Sequence, residues 1–229
     1  MVAGKTAAEH EAGVRASLAW YEDVFAVHGI STRSDDALWW ALSDPPPWHS
    51  AAKTVRRDVT VDRVLRAMEP FEHCSVADSY GTVDLAPAGF QQLFEADWLH
   101  REAASPQASL PKGWGVVSDP DELGRWNELH DYTGVLLPAF LEHPRFTILA
   151  QRESEELVGG AVLHEAGATV ELSNAWAAGG QQEDVAAMVA CAAVLHPGRA
   201  LVGYAHGDEL GRWIAAGFHT TGPQVVWVR

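Results

Sequence analysis

The residues best placed to do chemistry lie between positions 170 and 206. Gly179 and Gly180 stand side by side just before an alanine-rich run, Gln181 to Leu195. Adjacent glycines let a backbone approach a ligand closely, and the start of a helix offers unpaired N–H groups at the positive end of its dipole. Together they can seat an anion. Glu183 and Asp184 fall in the first turn of the same run, where they suit the dipole but compete with a phosphate for those N–H groups. An ordinary helix start capped by its own acids fits these residues equally. Glu171 lies between Val170 and Leu172 in a β-prone stretch, and alternation puts Glu171, Ser173 and Ala175 on one face, either a cleft or a solvated side. Tyr204 ends the apolar run Ala200-Leu-Val-Gly-Tyr and offers a hydroxyl, as an acid or as a half-buried strand tyrosine.

Other chemistries lack their residues. No Gly-x-Ser-x-Gly nucleophile turn and no Walker-type loop occurs. None of the eleven histidines falls into metal-ligand spacing, so no metal site is expected. A net charge of −15 argues against nucleic-acid binding, which needs a basic face to displace counterions. The single basic cluster, Lys53, Arg56, Arg57, Arg63 and Arg66, is diluted by Asp58 and Asp62 and reads as a solvated surface. Charges interrupt every apolar run before it reaches the length of a membrane span, and the N-terminal stretch lacks the apolar core of a secretory signal. Cys74 and Cys191 sit in unlike contexts, as buried thiols of a reducing compartment would, and the cytoplasm is the expected location.

The elements that must position these groups are legible in outline. Residues 8–28 carry apolar side chains at helical spacing; residues 37–42 are β-prone; Ser43 to Ser50, with three prolines, is an extended connector whose Trp48 is expected to pack on the core. Thr60 is expected to cap a helix with Val61, Val64, Leu65 and Met68 on one face. Residues 102–112 are small, polar and proline-containing, the best linker in the chain. Beyond it, 113–117 reads as a strand, Ser118-Asp-Pro-Asp-Glu starts a helix running to about His130, and 135–141 is a helical piece broken by Pro138. Strands follow at 146–150, 157–163 and 169–173, with His164 and Glu165 in an exposed turn. Then come a helix at 181–195, a strand at 200–204, a helix at 208–216 and a strand at 225–228. Trp39, Trp40, Trp114, Trp126, Trp176 and Trp213 are expected in the core, while Trp48 and Trp176 border loops and could line an aromatic pocket.

Two stretches echo one another. Gly89-Phe90, Trp98 and Arg101 recur as Gly217-Phe218, Trp227 and Arg229, with equal Gly-to-Arg spacing and the tryptophans one step out of phase. This suggests an internal repeat, against chance similarity of two strand–turn–strand units.

The order strand, helices, three antiparallel strands, helix, strand, helix ending in Gly-Phe, strand resembles the GNAT superfamily of acyl-CoA-dependent N-acetyltransferases. The resemblance covers 113–229, and Leu157-Val-Gly-Gly-Ala161 looks like the phrase that opens the family's third strand. It implies an α/β fold with a mixed, mostly antiparallel central sheet flanked by helices, built as two tandem halves. The first is a degenerate portion over 1–105 and the second an acyltransferase domain over 113–229. It further implies acetyl-CoA or another acyl-CoA as cosubstrate, no metal, and the amine of a small molecule as acceptor. By the same resemblance Asn174, Ala175, Trp176, Gly179, Gly180, Gln181 and His206 would bind the cofactor, Glu171 would deprotonate the amine, and Tyr204 would protonate the leaving thiolate. The family's usual tyrosine is Trp213 here, the usual Gly spacing is changed, and residues 113–229 hold six arginines against fifteen carboxylates. A catalytically inactive descendant that binds a small ligand or a protein partner is therefore the alternative. An exposed sheet edge or the Trp-rich N-terminal portion would support a homodimer.

Overall fold

The computed structural model describes residues 2–180 and 182–229. In chain order the main elements are α1 (Val2–Val27), β1 (Thr32–Ser34), β2 (Leu38–Ala41), β3 (Ala52–Thr54), α2 (Val61–Met68), β4 (Ser75–Asp78) and β5 (Gln91–Arg101). They continue as β6 (Trp114–Val116), α3 (Pro120–Leu129), β7 (Phe146–Glu153), β8 (Glu156–Ala166) and β9 (Thr169–Ala177). The chain closes with α4 (Val185–Leu195), β10 (Ala200–Ala205), α5 (Leu210–Ala215) and β11 (His219–Val228). The fold is a mixed α/β one with mostly antiparallel strands flanked by helices. Among the described residues no helix is long and apolar enough to cross a membrane.

The chain divides into two compact units that are not contiguous in sequence. The first comprises Met1–Leu99, Tyr204–Leu210 and Thr220–Arg229; the second comprises His100–Gly203 and Gly211–His219. In the first, strands run in the order β1-β2-β3-β4-β11-β5, with β3 parallel to β4 and β11 antiparallel to β4. The second has the order β10-β9-β8-β7-β6, with β10 parallel to β9 and the other pairs antiparallel.

Helix starts follow their capping residues. Thr60 is extended and accepts the Arg63 N–H, as expected from the sequence. Asp119, with Pro120 in the first turn, accepts the Glu122 N–H at 2.9 Å and starts α3 one residue later than Ser118. Asp184 accepts the Ala187 N–H at 2.9 Å, so α4 begins at Val185 rather than Gln181. Pro138 does not break a helical piece but opens a short 3-10 turn, Pro138–Leu141.

The two echoing stretches make the same turn. Gly217 is left-handed (φ 92°); its N–H bonds the Ile214 carbonyl at 3.0 Å while the Phe218 N–H reaches back to Trp213 at 3.1 Å. Gly89 (φ 86°) and Phe90 repeat this with Ala86 at 3.0 Å and Leu85 at 3.3 Å. A side chain at either glycine would be strained, which explains the shared Gly-Phe pair. The closing arginines also act alike on backbone carbonyls, Arg101 donating to Ala216 and Arg229 to Phe71.

Packing departs from expectation in several places. Lys53, expected on a solvated basic surface, is 1% exposed, its ammonium 5.2 Å and 5.0 Å from the Tyr21 and Trp98 ring centres, and Trp40, expected in the core, is half-buried. Trp48 is 71% exposed with a left-handed φ of 64°, because the proline loop turns it outward instead of onto the core. His164 is fully buried, since β8 runs on through Ala166 and places His164 opposite Glu171. Both cysteines are free and buried, and burial pushes the Cys191 thiol up to about 12, the state of an inert core thiol.

Candidate functional site

The second unit carries an irregularity at the place the sequence points to. The parallel ladder between β9 and β10 holds only three pairs, ending at Glu171 and Val202. One residue on, a Cβ at Gly203 would meet the Leu172 carbonyl at 2.7 Å and the Trp213 ring at 3.4 Å. Gly203 thus lets the buried Trp213 close over the strand junction. On its other edge β9 pairs with β8 through Ser173↔Val162 and then Trp176↔Gly160. Asn174 and Ala175 therefore oppose Ala161 alone, a β-bulge, and Asn174 takes a left-handed φ of 51°. Side-chain alternation is regular only as far as Ser173, so Ala175 does not continue the face of Glu171 and Ser173.

Beneath the bulge lies an aromatic cluster. Trp126 on α3 donates its indole N–H to the Leu149 carbonyl at 2.9 Å and meets Trp176 edge-on at 5.7 Å. Both indole nitrogens crowd Gly160: a Cβ there would overlap Trp126 Nε1 and come within 2.6 Å of Trp176 Nε1 and 2.7 Å of the Leu149 carbonyl. The second glycine of Val-Gly-Gly-Ala is thereby explained by packing. His130, the residue that ends α3, places its ring 5.2 Å from Trp126, 6.2 Å from Trp176 and 5.1 Å from Tyr132. Its side chain is half-buried. Burial lowers the His130 pKa, against the opposing pull of Asn174, Asp131 and Glu183. The Asn174 amide nitrogen donates to Ser173 Oγ at 3.1 Å.

After β9 the chain makes a short 3-10 turn, Ala178–Gly180, with Gly179 left-handed (φ 67°) and open space where its Cβ would stand. Glycine is needed there for the backbone and not for crowding. Glu183, on the way into α4, is bound by Arg212 of α5 at 2.6 Å. One of the two carboxylates ahead of α4 is thus paired, while Asp184 caps the helix. Two further arginines of this unit, Arg152 and Arg199, pair with Glu122 and Glu165.

The structure brings Asn174, Ala175, Trp176, Gly179 and Gly180 together along one strand end and turn. Gln181 lies outside the described residues. Glu171 is in the same unit but only 3% exposed, facing the buried His164 across the ladder, the setting of a structural carboxylate. Tyr204 and His206 fall in the first unit. Tyr204 is 39% exposed and stands edge-on to Trp98 at 5.9 Å, and His206 stacks on Phe94 at 5.2 Å. Sequence reasoning missed His130 and gave Arg212 no acidic partner. A Trp and a His four apart at the end of a helix were the available signal for the first.

No protein-family model matches the chain, and no curated protein matches it. Solved structures do. A GCN5-related N-acetyltransferase from Kribbella flavida matches at TM-score 0.63 and 15% identity, covering 94% of this chain and 95% of its own. A putative acetyltransferase of the GNAT family from Novosphingobium aromaticivorans matches at 0.58 and 11%, covering 91% and 95%. A GCN5-related N-acetyltransferase-like protein from Streptococcus suis matches at 0.54 and 14%, covering 98% and 100%. The fold is that of the GCN5-related N-acetyltransferases.

Proposed function

We propose that the protein is an acyl-CoA-dependent N-acyltransferase, with acetyl-CoA as donor and the amine of a small molecule as acceptor. The observation that carries this reading is the β9 bulge at Asn174 and Ala175, set between the end of the parallel ladder and the Gly179 turn. A bulge frees backbone N–H groups from the ladder and fixes their direction. Such donors stabilise a thioester carbonyl oxygen as it gains negative charge under attack by the amine. The turn and the start of α4 offer further N–H groups to a pyrophosphate. Arg212 supports this by keeping Glu183 away from them. The shared fold adds support by analogy only.

A second reading is favoured by one observation: Asp184 already occupies the start of α4. A protein that keeps the fold and binds a small ligand or a protein partner, without catalysis, would look the same there. The test is calorimetric titration with acetyl-CoA, followed by release of CoA thiol in the presence of amines. Micromolar binding with amine-dependent release supports the acyltransferase. Binding without release supports the second reading, and no binding at millimolar acetyl-CoA defeats the first.

A further inference from the structure

We infer that the first unit carries a ligand site of its own, a cleft that takes a small organic carboxylate with an apolar body. The cleft encloses about 480 Å³, the size of a small-molecule pocket. It lies between one face of α1, where Glu11, Val14, Arg15 and Leu18 recur at helical spacing, and the loop 55–58 that follows β3, with Tyr80 beyond β4 as a further wall. Val14, Leu18 and Val55 give it an apolar side. Arg15, Arg56 and Arg57 give it a cationic one, in a chain whose net charge is −15. All of these residues belong to the first unit, so the site stands or falls without the acyltransferase reading.

The three guanidinium groups differ in what they already hold. Arg56 donates to Asp58 at 2.9 Å and to Asp36 at 3.4 Å, and Arg15 faces Glu11 at 3.6 Å. Arg57 pairs with no carboxylate among the described residues. Its guanidinium lies 4.7 Å from the centre of the Tyr80 ring. That ring is itself fixed, stacked on the buried His10 at 4.9 Å and with its hydroxyl donating to the Val55 carbonyl at 3.3 Å. Thr82 Oγ1 donates to the Arg57 carbonyl at 3.0 Å, so the loop backbone is held as well. A guanidinium over a ring keeps N–H groups for an acceptor, and their fork matches a carboxylate. Since Glu11 and Asp58 already serve the other two arginines, one positive charge is left in the cleft and a monoanion balances it. The apolar side then receives the rest of the molecule. Thr54 and Asp78 tie the strand ends together at 3.0 Å, which closes the way between β3 and β4 to an extended cofactor and leaves a compact ligand lying across the loop.

The test is an NMR titration of the full chain with phenylacetate, with its neutral amide phenylacetamide, and with acetate, which lacks the apolar body. Phenylacetate should shift the amide signals of residues 55–58 and of Tyr80, and should bind more tightly than either control. Arg57→Gln should weaken phenylacetate by about 10–100-fold, the loss of a charge-assisted pair. Arg66→Gln, in the last turn of α2 and outside the cleft, should leave it unchanged. Acetyl-CoA should neither displace phenylacetate nor bind differently to Arg57→Gln. No shift at 55–58 with millimolar phenylacetate, equal binding of either control, or equal loss in the two arginine variants overturns the site. Displacement of phenylacetate by acetyl-CoA overturns it as a site of its own and gives the cleft to the donor.

Discussion

Two parallel crossovers, β3–α2–β4 in the first unit and β9–α4–β10 in the second, are built on one plan and finished differently. In the first, side chains stitch the carboxyl ends of the strands together. Thr54 Oγ1 donates to Asp78 at 3.0 Å and accepts the Ser79 N–H at 2.8 Å, and Ser79 Oγ donates to the Thr54 carbonyl at 2.6 Å. Asp78, fully buried, also accepts the N–H groups of Tyr80 and Val83. In the second, the corresponding region of β9 bulges, and a left-handed glycine leads into a helix of eleven residues. The connecting loops differ as well: Arg56 and Arg57 in the first, glycines and carboxylates in the second. The carboxyl ends of parallel strands are where such folds take ligands. One unit has closed that place with hydrogen bonds, and the other has kept it irregular.

The largest effect on this contrast should come from Gly160→Val. A side chain at Gly160 collides with two indoles and a carbonyl, none of which is the free end of a flexible chain. A loss of about 3 kcal/mol or more, or failure to fold, should be seen by thermal melting. Asp78→Ala should come next. It strands two buried backbone N–H groups and the Thr54 hydroxyl, for a cost of roughly 2–4 kcal/mol by denaturant titration. Acetyl-CoA binding per folded molecule should not change, because the stitch belongs to the other unit.

His49 sets an acid boundary for the first unit. It accepts the Trp20 indole N–H at 3.0 Å on Nε2, and its Nδ1 donates to the Pro47 carbonyl, so the neutral ring fits the site. Burial pushes its pKa down to about 4. The unfolded chain, with an ordinary histidine, binds the proton first. Stability from this group is therefore complete above about pH 6.5 and is lost as pH falls toward 4. His49→Gln should flatten the stability profile in that window, measured by melting between those limits.

The smallest effect is the most discriminating. Asp184→Ala removes a helix cap and should cost about 1 kcal/mol of stability. If the start of α4 receives a phosphate, the same change frees an N–H group and should tighten acetyl-CoA binding. Lower stability with weaker binding would contradict the placement of the anion.

Much of the fold was legible because it is written locally. The Gly-Phe pairs marked both left-handed turns, and Thr60 and Asp119 marked helix starts, since capping and positive φ depend on a few adjacent residues. The crossover order of 113–229 was legible for the same reason. What could not be read depends on register and distance. Nothing near Asn174 announces a bulge, because the extra residue is defined against β8. His130 packs against Trp176, which is far along the chain. His164 looked like a turn residue because β8 continues past its apolar run. The pairing of β11 with β4 joins residues about 150 apart, and no local pattern encodes it.

The measurement that bears most directly on the central contrast is amide hydrogen exchange with and without saturating acetyl-CoA. Residues 173–187 should gain protection while residues 54–63 exchange unchanged. Protection confined to 54–63, or none in either crossover, would contradict the assignment of the donor site to the second unit.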